Sequence, residues 1–255
     1  MRIQKFHLRG KMAHFRRYYS NSSALSYSVP PRTTLIGLIA GLLGYARDSY
    51  YDVFTPNQCQ IAVGIHHAQK KQMQTLSLLM IKKTSDLNGS QPYHSQTPTE
   101  MIIPTQIRTG FLDYEVWFHH EDDQLMDKLS QQLHFSYGYA SKGVSAALGT
   151  AQHIGWIENA EVIEGQKVRE TMGEIYSIIP VSNLMELPLA ESEHPLQLQK
   201  EDFPVHFHSD RTIAQKGNFI VNTAATPVKA KVKQAVRLTD QRLITWMESE
   251  SDGPT

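Results

Sequence analysis

Only one of the 255 residues is a cysteine, Cys59, so no intrachain disulfide can form, and that usage suits a reducing compartment. Long apolar runs are missing as well. The longest, residues 35–43, is interrupted by Gly37 and Gly41 and falls well short of the ~20 residues needed to span a bilayer, so no membrane segment is predicted. The first five residues, Met1, Arg2, Ile3, Gln4 and Lys5, do not form the apolar stretch of roughly 7–15 residues that a secretory signal needs. Export is not expected, and a cytoplasmic location is. The chain also lacks a Gly-rich Walker loop, a dinucleotide fingerprint behind a strand, a Gly-x-Ser-x-Gly elbow and paired cysteines for zinc. These absences remove the commonest enzyme classes and leave no cofactor to expect.

Acid is missing from the whole first part of the chain. Residues 1–47 carry Arg2, Lys5, Arg9, Lys11, Arg16, Arg17, Arg32 and Arg47, and the first carboxylate is Asp48. Residues 211–237 repeat the pattern with Arg211, Lys216, Lys229, Lys231, Lys233 and Arg237. The balancing acids gather in two clusters, Asp113, Glu115, Glu121, Asp122, Asp123 and Asp127, and Glu186, Glu191, Glu193, Glu201 and Asp202. A net charge of zero therefore hides a strong segregation. If the two cationic stretches meet in space, they form a surface that attracts a polyanion, with the acidic stretches facing elsewhere, toward partner subunits. One-signed but merely solvated faces are the alternative.

Periodicity predicts strands over residues 2–10, 59–67, 75–82, 111–119, 153–162, 173–181, 203–208, 213–222 and 228–238. A buried helix follows Pro30 and Pro31, with Thr33 or Thr34 as its N-cap, and ends near Gly44. A second helix over 121–133 places Leu125, Leu129 and Leu133 one turn apart behind an acidic first turn. Residues 83–110 read as a polar protruding loop or hairpin. The order suits an α+β fold: a ferredoxin-like sandwich over 1–160, as in RNA-recognition domains, with a small β-rich lobe over 161–247. Residues 248–255 read as a disordered acidic tail.

The most informative short piece is residues 10–19. Lys11, Arg16 and Arg17 can neutralise phosphates, while Phe15, Tyr18 and Tyr19 offer flat faces on which unpaired bases stack, at ~1–3 kcal/mol each. Interleaved cations and aromatics favour single-stranded RNA, although Phe15 could equally be a core residue. Lys229, Lys231 and Lys233 alternate with Val228, Ala230 and Val232, and line one strand face as a backbone-tracking ridge or as protection of a sheet edge. Twelve histidines include the pairs His66 and His67, and His119 and His120. Neighbours on a strand point to opposite faces, so neither pair is expected to chelate, and His206 and His208 share a face without a third ligand. No metal is predicted.

Residues 10–44, with Ala13, His14, Phe15 and Arg16, the stretch 26–31, then Arg32, Thr33, Thr34 and the following Leu35, Ile36, Gly37 and Leu38, resemble the N-terminal signature of the CRISPR-associated "Cas five" family. These are RAMP-type subunits of type I Cascade complexes, and the wording is most similar to type I-B. A looser similarity covers Ala147, Leu148, Gly149 and Thr150 with His153. The resemblance implies a ferredoxin-like domain with a protruding thumb and a subunit without catalytic activity. Such a subunit caps the 5′ handle of the CRISPR RNA, contacts the backbone subunit, and anchors the large subunit that reads target DNA near the protospacer-adjacent motif. Carried over by position, Lys11, His14, Phe15, Arg16, Arg17 and Tyr18, with Arg32, Thr33 and Thr34, would cradle the handle, joined by Lys142. Arg108 would lie in the thumb, residues 83–110. One branch of the family, in type I-C systems, instead cuts precursor CRISPR RNA without metal through tyrosine, lysine and histidine. Tyr45, Lys82 and His94 are available here, but no spacing ties them into a site.

Overall fold

A computed structural model of the chain describes residues 1–20, 24–77, 84, 96–134, 139 and 145–248. Along these run β1 (Arg2–Gly10), β2 (Phe15–Arg16), β3 (Ser26–Tyr27), α1 (Arg32–Leu43), β4 (Cys59–Ile65), β5 (Gln69–Leu76), β6 (Thr97–Pro104), β7 (Leu112–His120) and α2 (Asp123–Leu133). Then come β8 (Gly155–Ile175), β9 (Ile179–Pro180), β10 (Leu184–Glu186), β11 (Leu198–Phe207), β12 (Ile213–Asn222), β13 (Val228–Leu238) and β14 (Leu243–Ile244). The architecture is mixed α/β, mostly strand, with two α-helices among the described residues.

β1 lies inside a seven-stranded sheet of order β10-β13-β14-β8-β1-β7-β4, antiparallel to both its neighbours. Its period-2 pattern sorts its side chains by face. Phe6 and Leu8 join Ile61 and Val63 of β4 and Tyr114, Val116 and Phe118 of β7 under both helices, in the main core. Ile3 faces the other way, with Trp117, Val236 and Ile244. Lys5, His7 and Arg9 alternate with Phe6 and Leu8 and share the face of Ile3, where Asp113 and Glu115 also lie.

Helix α1 is apolar over most of its length and ends at Gly44, whose φ of 84° is the left-handed closure glycine favours. Its start differs from the prediction. Pro31 is the cap residue, its carbonyl accepting from the N–H of Thr34 (2.9 Å) and Leu35 (3.1 Å), and no side chain caps the helix. The ring of Pro31 presets φ at −58°, so the chain enters the helix without help from Thr33 or Thr34. In α2 the Asp122 carboxylate does cap, accepting from the N–H of Gln124 (2.8 Å) and Leu125 (3.3 Å).

Three further expectations can be set against the observed strands. Within 83–110, residues 97–104 are the strand β6, paired antiparallel with β5 and burying Met101, Ile102 and Ile103. That pairing follows the hairpin alternative and not the loop one; residues 83 and 85–95 lie outside the described residues. Of the strand expected at 75–82, residues 78–82 lie outside the described residues; the described strand here is β5, 69–76, where pairing with β6 selects a polar sequence that pattern alone passes over. The division expected at residue 160 falls inside β8, which pairs with β1 up to Glu164 and with β13 from Gly165 onward. Phe203, Val205, Phe219 and Val221, from the far side of that division, pack in the same core as Phe6 and Leu8. No helix among the described residues is long and apolar enough to cross a membrane.

Candidate nucleic-acid interface

The chain leaves β1 at Gly10 and passes along the edge of β6 before returning through β3. Its backbone is pinned on both sides. Ala13 exchanges hydrogen bonds with Ile102 (3.0 and 2.9 Å), the His14 N–H donates to Leu148 O (3.0 Å), and the Phe15 N–H donates to Ser26 Oγ (3.0 Å). Gly149, at φ 94°, sits so close under His14 that an added Cβ would lie 2.0 Å from the His14 carbonyl oxygen. The two stretches that carry the family resemblance, 10–44 and 147–153, thus meet at His14 and Gly149.

Burial removes three of the predicted RNA contacts. His14 is buried, with Nδ1 2.8 Å from Glu100 O. Phe15 is buried edge-on against Tyr114, at 5.8 Å between ring centroids, so its face is closed to a base. Arg32 is 1% exposed; it pairs with Glu248 and donates to the carbonyls of Val205 (3.1 Å), Phe54 (3.0 Å) and Cys59 (3.0 Å). A guanidinium with its donors so placed ties α1 to β4, β11 and the C-terminal segment, and has no phosphate to reach. The same pair corrects the reading of residue 248 as disordered tail: Glu248 is buried and also accepts from the Ile61 N–H at 3.0 Å, while 249–255 lie outside the described residues.

Arg17 is half-buried and holds the segment from beneath. Its Nη2 lies 3.1 Å from Glu201 Oε1, its Nε donates to Ser26 O (3.1 Å), its Nη1 donates to Tyr19 Oη (2.8 Å), and the guanidinium lies 5.6 Å from the Tyr27 ring centroid. Glu201 is the hub. Nearly buried, it also accepts from Ser28 N (2.8 Å), Ser28 Oγ (2.9 Å) and Lys71 Nζ (2.8 Å). Its place in an acidic run pointed toward partner subunits; the fold turns it inward to fix the loop. Only its distance in sequence, 184 residues from Arg17, hid that role.

What remains outside is Lys11, Arg16, Tyr18 and Tyr19. Lys11 and Arg16 are exposed and, among the described residues, bonded only to the backbone oxygens of Gly110 (2.9 Å) and Ser20 (3.1 Å). Tyr18 and Tyr19 are 39% and 48% exposed and meet edge to face at 5.1 Å. Lys216, from the second cationic stretch, places Nζ 4.6 Å from the Tyr18 ring centroid, and the Tyr18 hydroxyl donates to Asp202 Oδ2 (3.2 Å). Sequence reasoning had not joined Lys216 to this group. Thr33 and Thr34 are half-buried and line a separate cavity of about 180 Å³ with Tyr50, Tyr51 and His206. Arg108 is exposed in the turn after β6. Lys142, Lys82 and His94 lie outside the described residues; Tyr45 is 37% exposed, with its ring against Phe54.

Elsewhere many of the cations in these stretches have a carboxylate partner. Arg2 pairs with Asp127 (2.6 Å), Lys5 with Glu115 (3.6 Å) and Glu161, Arg9 with Asp113 (2.8 Å) and Glu158, Arg211 with Asp48 (2.8 Å), and Lys229 with Glu191 (2.8 Å). Of the acids expected to face elsewhere, Asp113, Glu115, Asp127 and Glu191 are among these partners. β13 pairs with β8 along its length and with β10 at Lys231 and Val232, so Lys231 does not guard an open edge.

A second cluster gathers at the start of the β4–β5 connection. His66 and His67 follow β4, whose last residue is Ile65, so strand alternation does not separate them. With Asp113 they place one ligand-type atom each within 4.8 Å of one another, which corrects the expectation that this pair could not converge. Burial opposes ionisation of Asp113, but the hydrogen bonds and charges of His7 and Arg9 outweigh it and hold the carboxyl below its ordinary value. Partial desolvation holds the His66 ring, although it is exposed on one side, below the ordinary histidine value, with Asp113 opposing.

Comparison with known proteins adds a family match over part of the chain and a fold. Residues 4–101 match the family model described as CRISPR-associated protein (Cas_Cas5). No curated protein matches the chain. Among solved structures the chain is similar to a CRISPR protein from Archaeoglobus fulgidus, with TM-score 0.62 and 11% identity over 95% of this chain and 98% of that one. It is also similar to a chain of a CRISPR RNA-guided surveillance complex, with TM-score 0.47 and 15% identity over 89% of this chain and 91% of that one.

Proposed function

We propose that this chain is a non-catalytic subunit of a type I CRISPR effector complex, most like type I-B, that holds and caps the 5′ handle of the CRISPR RNA. The match of residues 4–101 and the fold shared with the Archaeoglobus fulgidus protein support membership of the CRISPR machinery. The strand order β8-β1-β7-β4, with α1 between β1 and β4 and α2 between β7 and β8, supports a ferredoxin-like reading of its centre. In this reading the turn after β6, with Arg108, belongs to the thumb that meets the backbone subunit, and the chain anchors the large subunit near target DNA.

The observation that carries the RNA assignment is the exposed group Lys11, Arg16, Tyr18, Tyr19 and Lys216 on a backbone held from below by Arg17 and Glu201. Two tyrosine rings and exposed cations match the stacking-and-phosphate recognition of single strands, and a pinned loop loses little entropy on binding. Thr33 and Thr34, beside their cavity, are a further contact, whereas His14, Phe15 and Arg32 act by holding the scaffold.

The test incubates the purified chain, with EDTA present, with labelled RNA carrying the CRISPR repeat, run on a native gel beside a denaturing gel. Intact RNA shifted selectively by the handle is the expected result. A discrete cut within the repeat would make the chain a processing nuclease and overturn the assignment.

A further inference from the structure

We propose that His66, His67 and Asp113 form a binding site for one zinc-class divalent transition-metal ion. Histidine nitrogen and carboxylate oxygen are the donors that such borderline ions take, and the three ligand atoms already lie within 4.8 Å of one another. A bound tetrahedral ion needs them closer than that. The exposed ring of His66 supplies the movement and leaves the ion open to solvent, while its backbone N–H stays anchored to Asp113 O at 2.8 Å.

The surroundings of the other two ligands are those of a prepared site. His67 Nδ1 lies 3.2 Å from Phe111 O, and with the proton there Nε2 is left as the ligating atom. The ring is held in place by Phe111, edge to face at 4.7 Å. Asp113 receives His7 Nδ1 on Oδ1 (2.7 Å) and Arg9 Nε on Oδ2 (2.8 Å). These use two of about four lone-pair positions, so the carboxylate is oriented and can still coordinate. The guanidinium of Arg9 opposes a nearby cation, and Glu158, paired with Arg9, offsets that charge. Three protein ligands leave at least one position for water, the arrangement of an open site rather than of a closed structural one.

The test uses the tag-free full chain stripped of metal with a chelator and titrated with Co²⁺, followed by visible absorbance, and with Zn²⁺ by equilibrium dialysis. One ion per chain is expected, with the absorption of a low-coordinate Co²⁺ site. His66→Ala and His67→Ala should each weaken binding by more than about 100-fold, and His7→Gln, which removes an outer partner of Asp113, by about 10-fold. Circular dichroism checks folding of each variant, and because His66 is exposed, His66→Ala decides the matter if His67→Ala does not fold. The double variant His206→Ala with His208→Ala controls for the other close histidine pair and should bind as the parent does. No saturable uptake, uptake unmoved by His66→Ala, or uptake lost with His206 and His208 overturns the proposal.

Discussion

The first ten residues and the next ten carry the same sign of charge and meet opposite fates. Arg2, Lys5 and Arg9 sit on a strand flanked by β7 and β8, and each pairs with a carboxylate supplied by the fold around them, from Asp127, Glu115 and Glu161, and Asp113 and Glu158. Lys11 and Arg16 lie beyond the seven-stranded sheet and, among the described residues, bond to carbonyl oxygens, whereas Arg17 next to them pairs with Glu201. A one-signed run in sequence is therefore no measure of a one-signed surface. The fold brings the opposite charge from far along the chain, to Arg17 as to β1, and the excess survives at Lys11 and Arg16.

The largest expected effect lies on the neutralised side. Arg32→Ala should lower stability by about 3–5 kcal/mol, read as a fall in the urea midpoint, because it leaves Glu248 buried without its partner. A variant that instead stayed stable while losing RNA affinity would return Arg32 to the interface. Next come Tyr18→Ala and Tyr19→Ala, each expected to weaken single-stranded RNA binding by about 1–3 kcal/mol in a filter-binding titration, with the melting temperature nearly unchanged. Equal losses of stability would mean that the rings are structural.

The sheet side should also respond to acid. Burial holds His119, His153 and His206 below the ordinary value of 6.5. As pH falls through that value the unfolded chain takes up protons that the folded chain resists, so their contribution is full above about pH 6.5 and declines below it. Urea midpoints at pH 7.5 and 5.5 should differ in that direction, and His119→Gln should narrow the difference; an unchanged gap would exclude His119 as a source. The smallest effect is expected at the exposed pair of Arg2 and Asp127, where Asp127→Ala should cost under about 1 kcal/mol in the same assay.

Local pattern carried much of the fold. The bounds of β1, β12 and β13 and the end of α1 at Gly44 follow from alternation and a closure glycine, which act within a few residues. What pattern could not show was pairing at a distance. β6 contains Pro98 and Pro104, follows a polar stretch, and becomes a strand because β5 and Ala13 bond to it. The 21 residues of β8 are mostly exposed outside Gly155, Ile157, Gly165 and Ile175, so they carry no clean period. The candidate interface divided in the same way. Cations and aromatics in residues 11–19 were legible, but which of them face outward depends on Glu201, Leu148 and Ile102, and Arg32 read as a free cation until Glu248, 216 residues away, closed over it. His66 and His67 were set apart by a strand assumed to continue two residues too far.

The central claim, that the exposed loop cations rather than the buried ones meet RNA, is tested most directly by the salt dependence of binding for Arg16→Ala. Each phosphate contact on a single strand contributes about 0.7 to the slope of log affinity against log salt. Arg16→Ala should bind more weakly with a slope shallower by about that amount. A parent-like slope in Arg16→Ala would contradict the account.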